Sequence, residues 1–323
     1  MRRVVWSVLT GLGAFFVVLA IMSRFVVPAQ AVKFPLNEYS VKTLVANGAS
    51  WFSPKSGSEL SGVTIKITTT TKGDVSAADT LGSANTAVWA NFPVVEDVTN
   101  HQAISIPAYA DELAFNRKTG VLVPWSGNSV DGKHVSVSGQ GYVWPLGAKK
   151  QDYPVFDQVL LSPVKFSYQG TATTDGVATY VYKANIKPTQ TGTVTVPGSL
   201  AGLSASTVTL PEMYSSQETY YVDPVTGAPL LVKRDVQQVL KDSSGTTRLV
   251  LLNANFQTSA SSLASVVATD NHYRTEINVA KNIVPIIALI IGIILLAAGL
   301  VASRLRPDYE EYEDEDEPIS SPV

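Results

Sequence analysis

The chain has 323 residues, of which 45% are hydrophobic and 16% charged, and a formal net charge of -3. That composition fits a folded core with membrane segments better than a disordered chain. Cysteine is absent, which excludes disulfides, thiolate metal sites and a cysteine nucleophile.

Residues 4–27, "VVWSVLTGLGAFFVVLAIMSRFVV", follow Arg2 and Arg3. The run is longer than a signal-peptide core and predicts a transmembrane anchor over residues 1–27. Ala29-x-Ala31 keeps a second reading open, a signal peptide cleaved after Ala31. Arg24 is expected to snorkel toward the outer headgroups.

Residues 28–280 predict one mainly β domain of antiparallel sheets, sandwich-like or barrel-like. In residues 63–71, "VTIKITTTT", Val63, Ile65 and Ile67 alternate with polar neighbours at the period of a half-buried strand. Residues 86–95, 179–186 and 247–257 have strand composition as well. Two stretches, residues 71–85 ("TKGDVSAADTLGSAN") and residues 168–180 ("YQGTATTDGVATY"), read as turn-rich. Residues 260–282 predict a helix that runs on into a second span.

One pattern occurs twice. "FNRKTGVLV" at residues 115–123 matches "VDPVTGAPL" at residues 222–230, with an Asn or Asp, two variable residues, then Thr-Gly and an apolar run. Asn116 and Asp223 are expected to bond their own backbone, while Gly120 and Gly227 allow positive φ. Both are therefore predicted hairpin turns rather than catalytic loops.

Chemistry is hard to find. "KTG" (118–120) and "SPVK" (162–165) occur in the wrong order for a serine–lysine hydrolase, and Pro163 interrupts the motif that belongs on a helix. His101, His134 and His272 are far apart in the chain, with no metal or triad spacing. No enzymatic activity, cofactor or metal is expected. The candidate ligand site is residues 141–157, "GYVWPLGAKKQDYPVFD". Tyr142, Trp144, Tyr153 and Phe156 would line an apolar pocket, with Lys149 and Lys150 at its mouth. The alternative is strand aromatics in a core with lysines on a loop.

Residues 283–302, "IVPIIALIIGIILLAAGLVA", contain no charge. Twenty helical residues reach about 30 Å, the thickness of a hydrocarbon core, so a second transmembrane helix is predicted over residues 281–303. Arg2 and Arg3 before the first span, with Arg304 and Arg306 after the second, place both ends in the cytoplasm and the β domain outside. Ser7 with Gly11, and Ala288 with Gly292, have the small-xxx-small spacing that lets helices pack. Residues 304–323 form an acidic cytoplasmic tail; residues 308–323 hold eight of the 27 acidic side chains and no basic one. The 24 Lys and Arg are scattered, so nucleic acid is not an expected partner.

The chain resembles an actinobacterial two-span family of unknown function labelled "porin PorA family protein". The resemblance rests on "KGDV" (72–75), "TAVW" (86–89), "LAFNRKTG" (113–120), "YPVFD" (153–157), "VPGSL" (196–200) and "YVDPVTG" (221–227), in that order between two terminal spans. It implies a membrane-bound envelope protein and supplies no catalytic residue. The expected role is binding or passing an apolar or lipid ligand of the envelope, with membrane lipid as a partner. The alternative is a structural or assembly protein acting through protein partners, including a cytoplasmic one for the tail. A porin-like channel or an enzyme is the weaker expectation.

Overall fold

The computed structural model describes residues 2–25, 32–104 and 109–304. It comprises two compact units, Val32–Thr275 and the terminal helical segments. The described helices are α1 (Arg2–Phe25), α2 (Val75–Thr80), α3 (Ala260–Asn278) and α4 (Val284–Arg304), with a π-turn at Val279–Ile283. Helical structure therefore runs unbroken from Ala260 to Arg304. By length and composition, α1 and the apolar stretch of this long helical run are each able to cross a membrane.

Within the terminal unit α1 and α4 pack antiparallel at close range. A β-carbon on Gly13 would lie 2.6 Å from the Leu296 backbone nitrogen, and one on Gly292 would lie 2.9 Å from that of Val17. Only glycine allows this approach. Gly13 thus takes the place expected of Gly11, where a β-carbon would meet open space. Arg24 donates to the Lys281 carbonyl at 2.8 Å and to Asn282 Oδ1 at 3.0 Å. Its charge is engaged by the other helical segment, where the sequence suggested a reach toward headgroups.

The Val32–Thr275 unit is an antiparallel β structure, as its alternating strands predict. Its strands are β1 (Tyr39–Ser53), β2 (Ser58–Gly73), β3 (Thr86–Asp97), β4 (Gln102–Ala103), β5 (Asp111–Asn116), β6 (Ser129–Val130), β7 (Lys133–His134), β8 (Tyr153–Asp157), β9 (Ser162–Thr174), β10 (Val177–Pro197), β11 (Thr207–Val222), β12 (Pro229–Lys241) and β13 (Thr247–Thr258). They are ordered β7-β6-β5-β3-β2-β1-β13-β12-β11-β10-β9-β8, with β4 beside β3. The two ends then join. Phe115 of β5 bridges to Leu122, Val121 to Gln140, and Gln140 to Val155 of β8. Gln140 donates to the Pro154 carbonyl at 2.7 Å and accepts from the Phe156 N–H at 2.9 Å. The ring of strands closes into a barrel, which leaves few free edges.

Alternation decides which side chains enter it. Along β10, Tyr182, Ala184 and Ile186 are buried while Lys183, Asn185 and Lys187 are exposed, the period of a strand with one wet face. Trp51, Ile65, Tyr214, Val236, Leu252 and Phe256 meet inside in one core. Full burial of each such side chain contributes roughly 1.5–3 kcal/mol.

Two stretches differ from the sequence reading. Residues 71–85 contain α2, whose N-cap Asp74 accepts from the Ala77 N–H at 2.8 Å. Ala78 of α2 packs on Val88 and Ala114, outside the barrel. Residues 168–180 form the β9–β10 hairpin, turned by Asp175 (φ 46°) and Gly176 (φ 81°). Asp-Gly between two strands favours this two-residue turn because both positions need positive φ.

Candidate functional site

Residues 141–147 are held between the two copies of the repeated turn. Gly141 donates to the Gly120 carbonyl and Leu146 to that of Lys118, while Trp144 donates to Gly227 and Gly147 to Val225. Each turn forms as its sequence requires. Asn116 Oδ1 accepts from the Lys118 and Thr119 N–H groups, and Asp223 Oδ1 from the Val225 N–H.

The aromatic side chains of this segment pack against other rings. Trp144 stacks on Tyr182 with centroids 5.5 Å apart, and Tyr153 meets the edge of Tyr182 at 5.6 Å. Tyr142 lies against Trp89 and Phe115. Phe156 belongs with these in a neighbouring core. Lys149 and Lys150 are exposed. Tyr153 accepts from the Lys149 N–H at 2.9 Å and Tyr182 donates to the Lys149 carbonyl at 2.7 Å, so the backbone of Lys149 is gripped rather than its amine. Lys150 Nζ sits 5.8 Å from the Tyr180 ring centroid.

Polar groups are buried beside these rings in two networks. In the first, Asp111 takes hydrogen bonds from Asn91 Nδ2 and Gln158 Nε2, and its Oδ1 lies 2.6 Å from the Tyr142 hydroxyl. That hydroxyl also contacts the Trp89 carbonyl. One hydroxyl proton cannot serve two acceptors, so both contacts are hydrogen bonds only when Asp111 is itself protonated. Burial pushes the Asp111 carboxyl up to about 6, against the pull of those same donors. In the second network Glu218 and Arg234 are paired at 2.8 Å, with Ser216 donating to Glu218 and Arg234 reaching Tyr214. Burial opposes the Arg234 charge, but Glu218 and the neighbouring Tyr220, Tyr214 and Asp157 hold it protonated.

The outer face of the barrel is polar over much of its circumference, including Gln217, Asp235, Gln237, Asn253, Asn255 and Gln257. The outer face of β1–β3 is different. Val41 pairs across Thr70 to Phe92, and Thr43 across Thr68 to Val94. Tyr39 is 68% exposed, Phe92 49% and Val94 55%. Lys72 lies opposite Tyr39, and Lys66 lies one row beyond Val94 beside Glu96. An apolar patch with Lys72 beside its Tyr39 and Lys66 beyond its Val94 therefore stands free on an otherwise wet surface. The sequence contained a signal for it: apart from Asn91, "WANFPVV" is apolar on both strand faces, and α2 covers only the end near Val88.

A separate cleft of about 450 Å³ opens beside β6–β7, lined by Trp125, Asn128 and His134. The Asn128 side chain there is committed to the backbone of Ala114 and Val123. Among the described residues no group of three or more His, Asp or Glu could hold a metal ion. Ser162 and Lys165 lie on β9, and Lys165 pairs with Asp152 at 2.8 Å. Residues 305–323 of the acidic tail lie outside the described residues.

The family described as Porin PorA matches residues 7–301. The chain belongs to that family. No curated protein matches this PorA-family chain. The match takes in both apolar helices as well as the barrel, so this PorA-family chain is a membrane protein.

Proposed function

We propose that this PorA-family protein is a doubly anchored envelope protein whose barrel lies outside the membrane and binds lipid or another apolar envelope molecule. The outer patch of Tyr39, Val41, Phe92 and Val94 carries this reading. The Tyr39 ring beside Lys72 suits a lipid surface, where ring and ammonium share the headgroup layer. Both chain ends are assigned to the cytoplasm on their flanking arginines. The role is binding rather than catalysis.

Photo-crosslinking tests this. The full-length protein would be placed in phosphatidylglycerol vesicles doped with a diazirine-bearing acyl lipid. Label is expected on β1–β3 peptides, with loss of most of it in a Phe92→Ser, Val94→Ser double variant of unchanged melting temperature. Label spread evenly over the barrel, or unaffected by the variant, contradicts the reading. Crosslinks to a protein at the same patch would favour an assembly role instead.

A channel is the second reading, favoured by the closed ring of strands and by the family description. Barrels that cross membranes turn an apolar band outward. Lys183, Asn185, Asp235 and Asn253 face outward here, and Trp51, Tyr214 and Leu252 fill the interior. Stable conductance of the pure protein in planar bilayers would restore this reading.

A further inference from the structure

We infer that α3 is a proton-operated latch on the barrel, closed when the buried Asp270 carboxyl beside Asp223 holds a proton and loosened when Asp270 is ionised. The latch is built within the Val32–Thr275 unit. The first turns of α3 are fastened by Ser259, which donates its N–H to the Thr43 carbonyl, and by Ser262 Oγ, which accepts from the Thr43 N–H. Val267, Leu263 and Val266 then pack on Val177, Ala228 and Leu230. Beyond that apolar contact comes Asp270, only 2% exposed.

Asp270 Oδ1 accepts from the Thr226 hydroxyl. Its Oδ2 is buried without a hydrogen-bond partner among the described residues. The neighbouring carboxyl is that of Asp223 in the repeated turn, fully buried, with Oδ1 taking the Val225 N–H and Oδ2 taking Arg274 Nη1 at 3.0 Å. Two carboxyl groups packed together out of water are stable with one proton between them and repel when both are charged. The cations nearby are Arg274, already held by Asp223, and Lys42, whose ammonium contacts the Pro229 carbonyl at 3.5 Å and also faces Glu38. Burial lowers the Lys42 ammonium from its ordinary value, while Glu38 and Asp270 pull it back up. Burial first, and contact with Asp223 second, lift the Asp270 carboxyl to about 7.

The direction follows from linkage. A detached α3 returns Asp270 to the ordinary carboxylate range, so docking takes up a proton between that range and about 7. Docking therefore weakens about tenfold per pH unit as pH rises through this window and levels off above it. The same helical run continues through the π-turn into α4, so the helix that loosens is the one leading to the second membrane segment.

Hydrogen exchange of the full-length protein in detergent tests the latch. Rates would be corrected for the intrinsic effect of pH, with β10–β13 peptides as reference. Protection of residues 260–275 is expected to fall about tenfold per unit between pH 5 and 7 and then to level off. It should be independent of pH in Asp270→Asn, whose amide stays neutral. In Arg274→Gln, which removes the cation held by Asp223, the levelling point should move to higher pH. Equal protection of the wild type at pH 5 and 7 would overturn the latch, even if a variant failed to fold. So would the same slope in Asp270→Asn, because the responding group would then be another one.

Discussion

Trp144 donates its backbone N–H to the Gly227 carbonyl at 2.9 Å, and a β-carbon on Gly227 would lie 2.2 Å from the Trp144 carbonyl oxygen. Glycine at position 227 is thus required twice, by its φ of 74° and by the backbone pressed against it. The same holds at Gly120, where the contact is the Val143 carbonyl at 2.3 Å. Gly227→Ala and Gly120→Ala should each destabilise the barrel by about 3 kcal/mol or more, combining backbone strain with displacement of residues 141–147. Gly132→Ala is the control. It has a similar φ of 72° but open space around it, and should cost only about 1 kcal/mol. Thermal unfolding of the three variants checks the difference.

The Glu218–Arg234 pair lies on the inner face of β11–β12, with Glu218 almost wholly buried. Removing one partner strands the other charge, so Glu218→Ala should lose about 3–5 kcal/mol. A Glu218→Leu, Arg234→Met double replacement should recover much of that, since an apolar pair of similar volume avoids the desolvation of both ions. Chemical denaturation midpoints provide the comparison.

Asp111 gives the barrel a pH dependence with a definite sign. Its carboxyl is lifted to about 6 by burial, above the value of an unfolded chain. The stability it contributes is full below the unfolded range and is lost as pH rises to about 6. Asp111→Asn should remove that slope from the melting temperature while keeping most of the hydrogen bonding. Tyr142→Phe leaves Asp111 without its closest partner and should cost about 1–3 kcal/mol.

Much of this architecture was legible in the chain. Val63, Ile65 and Ile67 announced an inward strand face by their alternation, and the Asn116 and Asp223 turns formed as their local chemistry requires. The uncharged residues 283–302 left little choice but a spanning helix. Barrel closure was not legible, because it depends on single bridges from Gln140 to Val121 and Val155, which have no sequence period. The helix at Val75–Thr80 was hidden in a Gly- and Asp-rich stretch, and six residues are too few for a periodic signal. Aromatic residues did mark the segment around Trp144, but composition alone could not say that the rings would pack on one another. The outer patch required strand register, which aligns Val41 with Phe92 through Thr70.

The patch account also predicts which surfaces touch lipid, and the absence of cysteine makes this simple to measure. Single cysteines at Phe92 and at Asn255 would each be labelled with an environment-sensitive fluorophore, with the protein reconstituted in vesicles containing nitroxide-bearing lipid. Both positions are exposed on the outer face of the barrel. A lipid-binding barrel held outside the bilayer predicts strong quenching at position 92 and little at 255. Equal quenching at both, as in a barrel that crosses the membrane, or none at 92, would contradict it.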